Sequence, residues 1–138
     1  MGDARQSLES EPAENFDVLA IDAFSSDSIP VHLLTREAFE LYFRHMKPNG
    51  LVAVHVSNRF LDLAPVVDAV ARDLHKASVM VDTEDSGDGD CYATTWILLA
   101  DDPKELENLP KHNGAPTRQR AGLRIWTDDY SNLFQILK

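Results

Sequence analysis

The sequence predicts an α/β fold: a mostly parallel sheet that ends in an antiparallel strand pair. Three observations carry this expectation. Short apolar runs of strand length alternate with segments whose apolar residues recur at helical spacing. The breaks between them hold Pro, Gly, Asn and Asp, the residues that stop helices and build turns. The last two apolar runs are joined by an acidic, glycine-containing loop with no helix in it, so they pair antiparallel. A length of 138 residues suits a single domain with one core.

The first strand is residues 16–21, Phe-Asp-Val-Leu-Ala-Ile. It follows a polar stretch at 11–15 and reads as a buried parallel strand. A loop rich in Ser and Asp comes next, closed by Pro30. A helix is expected over 35–47, with Thr35 as N-cap and Glu37 in the first turn, where its charge meets the positive end of the helix dipole. Phe39, Tyr42, Phe43 and Met46 recur at helical spacing as its buried face. Pro48-Asn49-Gly50 stops it, because proline cannot continue a helix and Asn-Gly tolerates a left-handed turn.

The second strand is expected at 51–56, interrupted only by His55, with Ser57 and Asn58 at its carboxyl end. A second helix over 62–76 takes Asp62 as cap and Pro65 in its first turn. Its apolar stripe is Leu63, Val66, Val67, Val70 and Leu74. Strands at 77–81 and 92–100 flank the acidic loop, and the latter is rich in aromatic and β-branched residues. A short helix at 103–109, an irregular basic stretch at 111–121 and a closing run at 125–134 complete the chain, without internal repeats.

Bulk properties narrow the function classes. Hydrophobic residues make up 43% and charged residues 26%, as in ordinary globular proteins. Apolar runs are much shorter than a membrane span, and the polar start Met-Gly-Asp-Ala-Arg has no apolar core of a signal peptide, so no membrane association is expected of this chain. The single cysteine, Cys91, forms no intrachain disulfide and reads as a buried, inert thiol. Cytoplasmic localisation follows. A net charge of −10 repels a phosphate backbone, so nucleic acid is not an expected partner, whereas a cation is.

In open α/β sheets, ligands bind outside the carboxyl ends of the strands. Asp22 and Asp27 lie just past the first strand, and Ser57 and Asn58 just past the second. Loop aspartates also make turns and cap helices, so position alone leaves both roles open. The acidic loop holding Asp82, Glu84, Asp85, Asp88 and Asp90 lacks a carboxylate at the twelfth position, which is Ala93. It is read as a solvated loop, and no metal site is expected.

Residues 16–30, Phe-Asp-Val-Leu-Ala-Ile-Asp-Ala-Phe-Ser-Ser-Asp-Ser-Ile-Pro, resemble the aminopropyltransferase segment in which a strand ends in two nearby aspartates followed by a proline. The usual form is close to Asp-Ser-Ser-Asp-Pro. Here Asp22 and Asp27 stand five positions apart, and Pro30 is displaced. The closing Trp126-Thr127-Asp128-Asp129-Tyr130-Ser131-Asn132-Leu133 looks like the tail of spermidine-synthase-like proteins. Gly2-Asp3-Ala4 is similar to that family's Gly-Asp-Gly or Gly-Asp-Ala turn, and Lys47-Pro48-Asn49-Gly50 matches a motif common across methyltransferase-like proteins.

The resemblance implies a partial Rossmann-like, methyltransferase-like sheet: the carboxyl-terminal half of a spermidine-synthase-like catalytic domain spanning all 138 residues. It implies aminopropyl transfer from decarboxylated S-adenosylmethionine to a small cationic amine. The attacking nitrogen must be neutral, yet a free alkylamine has a pKa of about 10. A carboxylate beside it orients the amine and accepts its proton. By the match, Asp22 is the catalytic candidate. Asp27 holds the substrate ammonium, and Ser26, His55 and Tyr130 are further substrate contacts; His55 reads equally as a strand histidine hydrogen-bonded in the core, and Tyr130 as a residue that packs against a cation or fills the core. Asp3 and Ala4 belong to the adenine-binding turn. Decarboxylated S-adenosylmethionine or methylthioadenosine is the expected ligand, with no permanently bound cofactor. No metal is needed, because the sulfonium is already a good leaving group. Asp128 and Asp129 either line the amine pocket or cap a terminal turn, and a structural or supporting role is favoured.

None of the six glycines follows a predicted strand and opens a helix in the Gly-x-Gly-x-x-Gly pattern. The small amino-terminal β domain of spermidine synthases is missing as well. Two functions are therefore carried forward: an aminopropyltransferase completed by further elements, and a non-catalytic methyltransferase-like remnant used in assembly or binding. Without the family's first strand beside it, strand 16–21 presents a free edge, and a two-fold homodimer through that edge is expected.

Overall fold

The computed structural model describes residues 4–22, 30–83, 93–107, 109 and 114–138. Among the described residues nine elements are formed: α1 (Ala4–Ser10), β1 (Phe16–Ile21), α2 (Arg36–Arg44), β2 (Met46–His55), α3 (Ala64–Asp73), β3 (Ala77–Thr83), β4 (Thr94–Ala100), α4 (Pro103–Glu107) and β5 (Gly114–Ala115). Single 3-10 turns cover Val31–Leu33 and Leu133–Ile136.

The five strands form one mixed sheet in the order β1-β2-β4-β3-β5. β1 and β2 pair in parallel through helix α2. β4 runs antiparallel to both β2 and β3 and lies between them. The expected antiparallel pairing of the last two long strands is therefore present. β5, which adds a two-residue edge to β3, lies inside the stretch read as irregular.

One face of the sheet is the main core. Val52 and Val54 of β2, Ile97 and Leu99 of β4 and Met80 of β3 point into it. They meet Ala38, Phe39 and Tyr42 of α2 and Val66, Val67, Val70 and Ala71 of α3. Period-2 alternation in the strands and period-3.6 recurrence in the helices put these side chains on facing surfaces. Trp126 and Ile136 close the cluster from the carboxyl-terminal segment. The Thr35 hydroxyl accepts from Ala38 N at 3.3 Å, the cap read from the sequence.

Several boundaries differ from the sequence reading. Helix α2 ends at Arg44, and β2 already begins at Met46, so Met46 and Lys47-Pro48-Asn49-Gly50 belong to a strand. The stop is imposed by His45, which is fully buried. Its Nδ1 accepts from Glu14 N at 3.4 Å, so Nε2 carries the proton and donates to the Leu8 carbonyl at 2.8 Å. Its own carbonyl accepts from Phe16 N at 2.8 Å and draws the chain into the sheet. Helix α3 starts at Ala64 after Leu63. Asp62 does not cap it, and its N–H instead donates to the Ile136 carbonyl at 2.8 Å. The short helix α4 stops at Glu107.

Asp68, in the middle of α3, is a buried carboxylate. It accepts from Arg72 Nε at 2.8 Å, from Ser78 Oγ at 3.5 Å and from the Thr117 hydroxyl. These bonds satisfy a charge that burial would otherwise destabilise, and they tie the stretch after β5 onto α3 and β3. Among the described residues no helix is long and apolar enough to cross a membrane.

Candidate functional site

Strand registers place the Asp22 region. In β2 and β4, His55 stands opposite Trp96, and in β3 and β4, Val81 stands opposite the same Trp96. Ile21 pairs with Val54, so Asp22, the next residue past β1, comes level with His55. Cross-strand partners share a face. Asp22, His55, Trp96 and Val81 therefore form one row on the sheet face opposite Val54, Ile97 and Met80, near the carboxyl ends of the parallel strands.

Within the row, His55 Nδ1 lies 2.8 Å from Asp22 Oδ1. An ionised carboxylate only accepts, so Nδ1 carries the hydrogen. The imidazole stacks on Trp96, with ring centroids 4.9 Å apart and planes at 23°. The side chain of His55 is 18% exposed and that of Asp22 55% exposed. The carboxylate thus stands at the rim, held on one oxygen and open to solvent.

Asp3, Ser26 and Asp27 lie outside the described residues, as does Cys91. Ala4 is the first, exposed residue of α1. Ser57 Oγ accepts from Thr95 N at 2.6 Å. Asn58 Oδ1 accepts from Phe60 N and Leu61 N, both at 2.9 Å. Both line a cavity of about 690 Å³ together with Asp82 and Thr83. Ser57 thus ties the end of β2 to the start of β4, while Asn58 closes the turn that follows β2.

Tyr130 lines a groove of about 890 Å³ with Arg5, Pro30, His32, Asp128 and Asp129. Its ring already faces a cation: the Arg124 guanidinium carbon lies 4.1 Å from the ring centroid. Thr127 and Tyr130 exchange backbone hydrogen bonds at 2.9 and 3.1 Å, closing a tight turn that projects Asp128 and Asp129. Asp128 is gripped by Arg5 through two bonds, at 2.8 and 2.6 Å, and accepts from the Thr35 hydroxyl at 2.7 Å. The hydrogen bonds from Arg5, first, hold the Asp128 carboxyl below its usual range. The same contact raises the Arg5 pKa further above its already high ordinary value.

Sequence reasoning did not single out Arg5 or Trp96. Trp96 was legible only as an aromatic residue in a strand rich in such residues, and its place beside His55 comes from the strand order β2-β4-β3. Arg5 carried no signal, because its partner is distant in the sequence. Among the described residues no group of three or more His, Cys, Asp or Glu side chains is placed to hold a metal ion.

No family model matches the chain, and no curated protein does. Solved structures do. A probable spermidine synthase from Corynebacterium glutamicum superposes with a TM-score of 0.60 at 20% identity, over 96% of this chain and 55% of that one. MNMC2 from Aquifex aeolicus superposes with a TM-score of 0.49 at 18% identity, over 77% of this chain and 33% of that one. The chain therefore spans about half, or less, of these proteins' lengths. At such identity the first likeness establishes the fold: a Rossmann-like, methyltransferase-like α/β sheet.

Proposed function

We propose that this chain is part of a spermidine-synthase-like enzyme that transfers an aminopropyl group from decarboxylated S-adenosylmethionine to a small amine, within cytoplasmic polyamine biosynthesis. The observation that carries this reading is Asp22. It stands past the carboxyl end of β1, more than half exposed, with one oxygen engaged by His55 at 2.8 Å. The fold shared with the Corynebacterium protein supports it, as does the Asp22–Pro30 sequence resemblance.

In this reading the amine nitrogen approaches the outer oxygen of Asp22. The carboxylate orients it, accepts its proton, and frees the lone pair for in-line attack on the aminopropyl carbon beside the sulfonium. The new C–N bond forms as the C–S bond breaks, leaving methylthioadenosine. Asp27 and Ser26 hold the distal ammonium by charge-assisted hydrogen bonds, and Asp3 and Ala4 belong to the adenine side. Tyr130, its face occupied by Arg124, would meet substrate by its edge or hydroxyl.

Calorimetry with methylthioadenosine and with putrescine tests the reading. It should be run on this chain and on a longer version carrying a glycine-rich cofactor turn. Binding of both ligands by the longer version supports it. If neither version binds either ligand, the enzyme reading is wrong.

A further inference from the structure

We propose that Trp96 is a positioning residue of the Asp22 site. By stacking on His55 it holds the imidazole in the orientation that keeps Nδ1–H on Asp22 Oδ1, and so turns the other carboxylate oxygen toward the ligand. The inference rests on the reading of Asp22 as the ligand-facing carboxylate, and it assigns His55 to orientation rather than to substrate contact.

The argument begins with freedom. An aspartate at a strand end, 55% exposed, has two side-chain torsions and, among the described residues, a single hydrogen bond to its carboxylate. That bond fixes the carboxylate only if the imidazole is itself fixed, and the ring torsion of histidine is broad. Trp96 narrows it. The two rings lie 4.9 Å apart at 23°, so rotation of the imidazole about its ring torsion would drive its edge into the indole. Trp96 is anchored in turn because β4 is paired with a strand on each side, which sets Trp96 opposite His55 of β2 and opposite Val81 of β3. Order thus passes along the row from the middle of the sheet to a carboxylate at its rim, by van der Waals contact and then by hydrogen bond.

Nitrogen-15 NMR of the labelled full chain at alkaline pH reads this directly, because ring-nitrogen shifts report which imidazole nitrogen carries the proton. His55, one of five histidines, is assigned by His55→Gln. The wild type is expected to show a single Nδ1–H tautomer at His55, with ring protons shifted upfield by the indole. Trp96→Phe should retain that tautomer, and Trp96→Leu should give a mixture. A mixed tautomer or unshifted ring protons in the wild type overturns the proposal without any variant. So does a single tautomer retained in Trp96→Leu.

Putrescine affinity, measured on the same samples, separates this inference from the function it rests on. If the wild type binds putrescine, Trp96→Leu should bind roughly tenfold more weakly, the scale on which loss of an orienting partner weakens a ligand site, and Trp96→Phe should bind nearly as well. Equal affinity in Trp96→Leu overturns the positioning role and leaves the amine site standing. If the wild type does not bind putrescine, the longer version decides the function, and the tautomer measurement still decides the role of Trp96.

Discussion

The Arg5 guanidinium and the Asp128 carboxylate, 123 positions apart in the chain, meet in a bidentate pair at 2.8 and 2.6 Å. Arg5 Nη1 also donates to the His32 carbonyl at 2.6 Å and to Thr35 Oγ1 at 3.2 Å. The Thr35 hydroxyl is the N-cap of α2 and donates to Asp128. One ion pair therefore joins the first helix, the start of α2 and the carboxyl-terminal turn. This gives Asp128 the structural role favoured from the sequence.

The pair makes stability pH-dependent in a defined direction. The Asp128 carboxyl is lowered, chiefly by the hydrogen bonds from Arg5. Its contribution is fully present above the ordinary aspartate value of about 3.9 and is lost as pH falls through the lower folded value. Asp128→Ala should reduce stability at neutral pH by on the order of 1–2 kcal/mol, since charge-assisted bonds are strong but this pair is partly screened by water. Urea midpoints at pH 7 and at pH 3 check this. The gap between wild type and variant should shrink at the lower pH.

Gly50 is needed for space. A Cβ there would lie 2.8 Å from Met46 Cε, 2.9 Å from the Phe16 carbonyl oxygen and 3.1 Å from the Lys47 carbonyl oxygen. The methionine end can move, but the two backbone oxygens cannot without disturbing the start of β1 and β2. Gly50→Ala should therefore destabilise the fold by about 1–3 kcal/mol, as overpacking does. A melting temperature equal to that of the wild type would show that the strands part freely at this point.

Asp22→Asn separates proton transfer from positioning. The asparagine oxygen still accepts from His55 Nδ1–H, so the row of side chains survives, but the basic oxygen is gone. In an aminopropyl-transfer assay, turnover should fall by about a hundredfold or more, with little change in methylthioadenosine affinity. Full activity in this variant would remove Asp22 from the chemistry.

β1 is an edge strand of the sheet, and Val18 on it is 60% exposed. Its one charge, Asp17, is met by Lys47 Nζ at 2.7 Å, so two copies can approach without opposing bare charges. We expect a homodimer in which the two β1 edges pair about a two-fold axis. Val18→Lys should give a monomer by light scattering. A wild-type monomer at high concentration would exclude the dimer.

Local patterns in the sequence were enough to mark the class of fold, most of its elements and one carboxylate at the rim of the sheet. Helical recurrence marked Phe39 and Tyr42, and Val66, Val67 and Val70, as buried faces. Thr35 was legible as a cap, and Asp22 as a rim residue, because each depends on neighbours within a few positions. Tertiary structure decided the rest. Met46 carries helical spacing yet starts a strand, because the buried His45 is bound by Leu8, Glu14 and Phe16 from other segments. β4 enters between β2 and β3, although β3 precedes it in the chain. The Asp22–His55 bond spans 33 positions, and it exists because β1 and β2 pair in the register that sets Ile21 against Val54. Alternation along a strand tells which side chains share a face. Which strand lies beside it, and at what level, is set by how the apolar faces of all the elements pack together.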